Sequence, residues 1–177
     1  MKNKGFLFKI LALVSAIASV VFVCLIKFNV MASAGDSSSD LGAAWSIFGD
    51  ATRADKVKLA QFGGIEYNSA IRTFAVFLMI VLAVVVLLLI IFTLYGKFAK
   101  QPFEACSGTC NILSVVVSIL GIALLITILS YTGANTNVVA NIKSGVVVSN
   151  VVMLVLHSVF AVLTSVLYIA GAVNTKK

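Results

Sequence analysis

The chain has 177 residues, 61% of them hydrophobic and only 11% charged, with a net charge of +7. Ordinary soluble domains are about 45–50% apolar and about 25% charged, so a soluble globule is excluded: there is too little charge to cover one. The basic excess is spread at the edges of apolar runs and forms no patch that would suggest nucleic-acid binding.

Four apolar runs, Ile10–Ile26, Thr73–Tyr95, Ile112–Tyr131 and Val146–Val173, carry no Asp, Glu, Lys or Arg. Each is near or above the roughly 20 residues that a helix needs to cross a bilayer. Backbone polar groups in lipid must be satisfied within the segment, which makes these runs helices. The expected fold is an all-α integral membrane protein, a four-transmembrane-helix bundle forming one domain over residues 1–177. Its spans are placed at 6–28, 71–96, 110–131 and 146–173, with a larger first extracellular loop over 29–70.

The first run follows Lys2, Lys4 and Lys9 and precedes Ala32-Ser33-Ala34, which resembles a signal-peptidase site. A secretory apolar region is about 7–15 residues, whereas this one has 17, and Lys27 interrupts before the site. Retention as a span is expected, with cleavage after Ala34 as the alternative. Small residues four apart, Ala12/Ala16 and Ser15/Ser19, suit close helix packing.

The outer segment begins with "SSSDLGAAWSIFGD". Asp40 is a good N-cap and Gly49 a good terminator. Leu41, Ala44, Trp45 and Phe48 then share one face of a short amphipathic helix. Such a face suits the outer interface or the end of the bundle, since Trp is enriched at membrane–water boundaries. The sharper alternative is a docking face for a partner. In "KVKLAQFGGIEYN", apolar and polar residues alternate around Gly63-Gly64, which predicts a small β-hairpin. Continuous helix is the alternative, because "TRADKVKLAQF" carries no breaker.

The second run, "FAVFLMIVLAVVVLLLIIF", is the greasiest and is expected to face the most lipid. The connection after it holds Lys97 and Lys100 against Glu104, then Cys106 and Cys110 at the entry to the third span. Their C-x3-C spacing fits neither a C-x2-C redox pair nor a four-ligand zinc site. Reduced, structurally incidental thiols are expected, and Cys24 stands apart from both. Ser114, Ser118 and Gly121 give the third span a small face. The second outer connection, "TGANTNVVANIKSG", reads as a loop.

The fourth run contains His157, the only Asp, Glu, Lys, Arg or His in the four apolar runs, and such a residue is a functional hypothesis by default. It lies on a stripe with Ala161, Thr164, Ser165, Tyr168 and Ala172, small and polar enough to face other helices. The plain reading is a neutral imidazole bonded between helices. The sharper one is an intramembrane polar site at His157, Ser165 and Tyr168 with a proton-linked or ligand role. No carboxylate lies within a span to partner the histidine, and one histidine cannot supply two haem ligands.

Charge sets the expected orientation. The two ends and the connection after the second run carry seven basic residues against one acidic, and the other side six against five. Basic residues favour cytoplasmic loops, so both termini are expected inside the cell membrane.

This layout, with inside termini, a large first outer loop bearing Trp45, Arg72 opening the second span and a small second outer loop, resembles the claudin-like tetraspan arrangement. It departs in having "GAAW" and no cysteine pair in that loop, so barrier function does not carry over. The start "KILALVSAIASVV" and "WSIFG" are closer to small, mostly uncharacterised four-span proteins of low-GC Gram-positive bacteria. That resemblance implies a bacterial cell membrane and little about activity. No phosphate loop, catalytic set or paired carboxylates are present. The expected function is non-enzymatic, with no cofactor or metal: a structural or accessory subunit that packs in the lipid bilayer with partner membrane proteins or with itself as a homo-oligomer. The alternative is a small oligomeric transporter or channel.

Overall fold

A computed structural model describes residues 2–34, 37–42, 44–98, 104–139 and 141–175, with side chains at all of these except 2–4, 62, 63, 104–106, 139 and 175. The elements run α1 (Lys2–Cys24), β1 (Lys27–Ala34), β2 (Ser37–Asp40), β3 (Trp45–Ser46), α2 (Arg53–Gly63), α3 (Ala70–Phe98), α4 (Glu104–Ala134), β4 (Thr136–Val139), β5 (Ile142–Val148) and α5 (Val151–Thr175). Four helical segments, Gly5–Cys24, Ala70–Phe98, Ser107–Ala134 and Val151–Asn174, are long and apolar enough to cross a membrane, which is compatible with a multi-pass membrane protein. The chain forms two compact units.

One unit comprises residues 1–22, 78–124 and 155–177 and is built from α1, α3, α4 and α5. Its interior mixes small and polar side chains, Ala12, Ser15, Ala16, Ser19, Ser114, Ala161 and Thr164, with larger ones such as Leu82, Leu89, Leu124 and Tyr168. Its outward positions are large and apolar, as at Leu7, Leu11, Val14 and Ile17 of α1, and at Ile112, Val115, Ile119 and Ile122 of α4. A soluble bundle has the opposite distribution. The small interior lets backbones approach. A Cβ at Gly121 would overlap that of Ala161, and one at Gly171 would stand 2.8 Å from the Gly5 carbonyl oxygen. Hydroxyls then bridge the helices: Ser15 donates to the Phe160 carbonyl at 2.8 Å and Ser118 to the Ala161 carbonyl at 2.8 Å.

The other unit comprises residues 23–77 and 125–154. It holds an antiparallel sheet in the order β2-β1-β5-β4, with β3 also on β1. Strand β1 is shared along its length. Lys27 and Phe28 pair with Ser46 and Trp45 of β3, and Met31–Ala34 pair with β2. On its other edge Phe28–Ala34 pair with Val148–Ile142 of β5. Strands β4 and β5 form a tight hairpin in which Val139 pairs with Ile142. Asn141 takes φ 66° there, a conformation that asparagine tolerates better than most residues.

Several expectations change. The fold is not all-α, because among the described residues five strands, from the segments after α1 and after α4, form a sheet. The helix expected over Leu41, Ala44, Trp45 and Phe48 is absent: Trp45–Ser46 form β3 and 47–49 turn. Asp40 ends β2, and its carboxylate accepts from Asn29 Nδ2 at 2.8 Å and from the Gly42 amide at 3.3 Å. An isolated helix this short is marginal, whereas β1 offers backbone partners and packs the Phe28 ring 6.3 Å from that of Trp45.

No hairpin turns at Gly63-Gly64. Helix α2 runs through this stretch, capped by Thr52 in a capping box with Asp55 and ended by Gly64 at φ 58°. The second outer connection is not a loop but β4 and β5. The first helix ends at Cys24 and the last begins at Val151, so 27–28 and 146–148, expected at span ends, are strand.

Candidate functional site

In the sheet-bearing unit, polar side chains converge on Asp50, in the turn between β3 and α2. Lys56 on α2 donates to Asp50 Oδ2 at 2.8 Å, and Arg72 at the start of α3 places Nε 3.8 Å from Oδ1. The Tyr67 hydroxyl donates to Oδ1. Its oxygen also lies 2.8 Å from the Tyr131 hydroxyl of α4. Since Tyr67 gives its hydrogen to the carboxylate, Tyr131 donates to Tyr67. Arg72 also donates to the Gly49 and Ile47 carbonyls, closing the turn over Trp45.

Partial burial alone would push the Asp50 carboxyl up. Hydrogen bonds from Lys56 and Tyr67, with the charges of Lys56 and Arg72, outweigh it and hold the group below the usual carboxylate range. Tyr67 is pushed well above an ordinary phenol by burial first, then by its bonds to Asp50 and Tyr131. Both effects keep Asp50 charged and Tyr67 neutral, the pairing that a structural network needs.

Two asparagines tie crossing chains together in this unit. Asn135 is fully buried; its Oδ1 accepts from the Asn68 amide at 2.8 Å, and Nδ2 donates to the Asn68 carbonyl at 3.0 Å and the Tyr131 carbonyl at 2.9 Å. Asn150 accepts from the Lys27 amide at 2.9 Å and donates to the Leu25 carbonyl at 2.7 Å. Each amide stands in for a strand, joining the segments at helix ends.

The residues expected to share a docking face part company here. Trp45 is buried, 8% exposed, against Phe28, and its indole N–H forms no hydrogen bond of ordinary geometry. Phe48 is 54% exposed. Leu41 is half-buried, donates its amide to the Val30 carbonyl at 2.8 Å and accepts from Lys58 Nζ, while Ala44 is exposed.

In the helical unit, the stripe on α5 is brought together inside. His157, Ala161, Thr164 and Tyr168 are buried, and Ser165 and Ala172 are half-buried. His157 Nδ1 lies 2.9 Å from the Ser19 carbonyl oxygen and 3.0 Å from Ser19 Oγ. A carbonyl only accepts, so Nδ1 carries a hydrogen. Nε2 is buried without a hydrogen-bond partner of ordinary geometry among the described residues, on the side where Gly121 passes. Ser165 Oγ lies 2.9 Å from Ser118 Oγ. The Tyr168 and Thr93 hydroxyls are 2.8 Å apart.

Cys110 is buried, its sulfur 3.9 Å from Thr93 Oγ1, whereas the side chain of Cys106 lies outside the described residues, as do Lys100, Lys176, Lys177 and Gly35 after the expected cleavage point. Among the described residues no three His, Cys, Asp or Glu side chains gather to hold a metal.

Sequence reasoning missed the Asp50 cluster and both asparagine clamps. "TRAD", with Thr52 three residues before Asp55, was a legible capping signal. Nothing local marks Asn135 or Asn150. No family model matches the chain, and no curated protein or solved structure matches it.

Proposed function

We propose that the protein is a non-enzymatic, multi-pass protein of a bacterial cell membrane that acts by packing against a partner membrane protein or a second copy of itself. Both termini lie in the cytoplasm, and its layout groups it with small four-span proteins of low-GC Gram-positive bacteria. The observation that carries the reading is the inverted burial of α1 and α4. Ala12, Ser15, Ala16, Ser19, Ser114 and Gly121 turn inward beside Leu13, Val117 and Leu124, while Leu7, Leu11, Val14, Ile112, Val115 and Ile119 turn outward, as in helices solvated by lipid and associated through close backbone contact.

The polar groups support a non-catalytic role. Asp50, Tyr67, Arg72, Asn135 and Asn150 are occupied in joining segments of the chain. Native mass spectrometry of the protein gently extracted from its own membrane at natural abundance tests the proposal. A stoichiometric second protein supports it and identifies the process; a bare monomer overturns it.

One observation favours a second reading, a small oligomeric transporter or channel: the buried imidazole of His157, whose Nε2 faces Gly121 and has no hydrogen-bond partner of ordinary geometry among the described residues. A homo-oligomer fits both readings, and on this one His157→Ala alters flux through reconstituted vesicles. Unchanged flux removes the residue from any transport path.

A further inference from the structure

In the sheet-bearing unit an open groove of about 350 Å³ is framed by the end of α4, the β4–β5 hairpin and the start of α5. Its volume falls within the range of about 300–1,000 Å³ typical of small-molecule sites. One wall is apolar, with Leu129 of α4 and Val151 and Leu154 of α5. Thr132 and Thr136 also line it, their hydroxyls donating to the Leu129 carbonyl at 2.9 Å and the Thr132 carbonyl at 2.7 Å, and Lys143 is the one charged residue of the lining. Lys143 is exposed and forms no ion pair among the described residues.

The position matters as much as the lining. The apolar segment of α4 ends at Ala134 and that of α5 begins at Val151. The apolar wall of the groove therefore belongs to the end of one span and the start of the next, with Thr132 in the last turn of α4 and Thr136 and Lys143 among the residues between the spans. An apolar wall that continues into two spans, with an unpaired cation at its polar end, matches a molecule with an acyl chain and an anionic head.

We infer that this groove binds one anionic glycerophospholipid, its phosphate held at Lys143 and an acyl chain lying along Leu129, Val151 and Leu154. The inference rests on the membrane reading above. Lysine suits the phosphate as a strongly hydrated point charge, and such a residue near an anionic membrane surface contributes about 1 kcal/mol.

The test titrates detergent-purified full-length protein with phosphatidylglycerol, phosphatidylcholine and glycerol phosphate in native mass spectrometry. One phosphatidylglycerol per chain is expected, with phosphatidylcholine weaker and glycerol phosphate not retained. Lys143→Ala weakens phosphatidylglycerol by about fivefold or more, Lys143→Arg keeps it, and Val151→Trp, which fills the groove, removes it. Arg53→Ala, an equal charge change at an exposed position of the same unit, leaves it unchanged.

Equal loss in Arg53→Ala and Lys143→Ala, equal binding of both lipids, or retention of glycerol phosphate overturns the site. Alkaline-carbonate extraction of the cell membrane separates the two failures. A chain that stays with the membrane but lacks the lipid preference loses only this site, whereas a chain released by carbonate removes the membrane reading as well.

Discussion

Asn135 is fully buried, and its amide answers both the N–H and the carbonyl of Asn68 as well as the Tyr131 carbonyl. Replacing it by Ala removes both bonds to Asn68 and the buried one to the Tyr131 carbonyl, at a cost of about 1–3 kcal/mol. Thermal unfolding in detergent should show a clear drop for Asn135→Ala and none for Gln61→Ala, which is exposed on α2. Asp50 gives a pH signature. Its folded-state pKa is lowered, so its contribution is fully present above the unfolded value of about 3.9. That contribution is lost as pH falls through the folded value. The effect is modest because the carboxylate is 40% exposed and screened. Acid unfolding followed by tryptophan fluorescence should show the wild type losing its advantage over Asp50→Asn below about pH 4; parallel curves would mean that the carboxylate contributes nothing specific. None of these partners can be read locally: Asn68 and Asn135 are 67 positions apart, and "NTN" by itself says only turn or loop.

Helix α2 and the α4–α5 contact illustrate the scale of elements. In α2 the Thr52 hydroxyl accepts from the Asp55 amide at 3.2 Å, and the Asp55 carboxylate accepts from the Thr52 amide at 3.2 Å. Thr52→Ala should lower stability by about 1 kcal/mol, read as a shift in thermal midpoint; no shift would mean that tertiary contacts alone hold the helix. Its alternating pattern suggested strand because Val57 and Leu59 are two apart, yet Leu59 is buried and Val57 is 46% exposed, as a helix of 3.6 residues per turn allows. In the helical unit, Gly121→Ala forces a methyl into Ala161 and should cost about 1–3 kcal/mol. Adding Ala161→Gly should recover most of the loss, because the two sites share one contact; additive losses would place the strain elsewhere.

For the molecule as a whole, charge distribution and helix number together predict sidedness. With Cys24, Cys106 and Cys110 replaced, Ser38→Cys in the exposed strand β2 should react in intact cells with a membrane-impermeant maleimide, while Gly108→Cys at the exposed start of α4 should react only after permeabilisation. The reverse labelling would invert the proposed topology. The four long helices were determined by the sequence itself, because the length of an uncharged apolar run and the need to satisfy its backbone internally are properties of each segment alone. The buried stripe on α5 was legible for the same reason: helical spacing places His157, Ala161, Thr164 and Tyr168 on one face whatever they meet. Only the tertiary structure decided the sheet. Residues 28–34 and 142–148 pair across more than 100 intervening positions, and strands hydrogen-bond to neighbours that the local sequence does not contain. The same reason separates Trp45 from Phe48. A helix would have put them on one face, but β1 supplied a partner from another part of the chain, turning the indole inward against Phe28 and leaving Phe48 exposed.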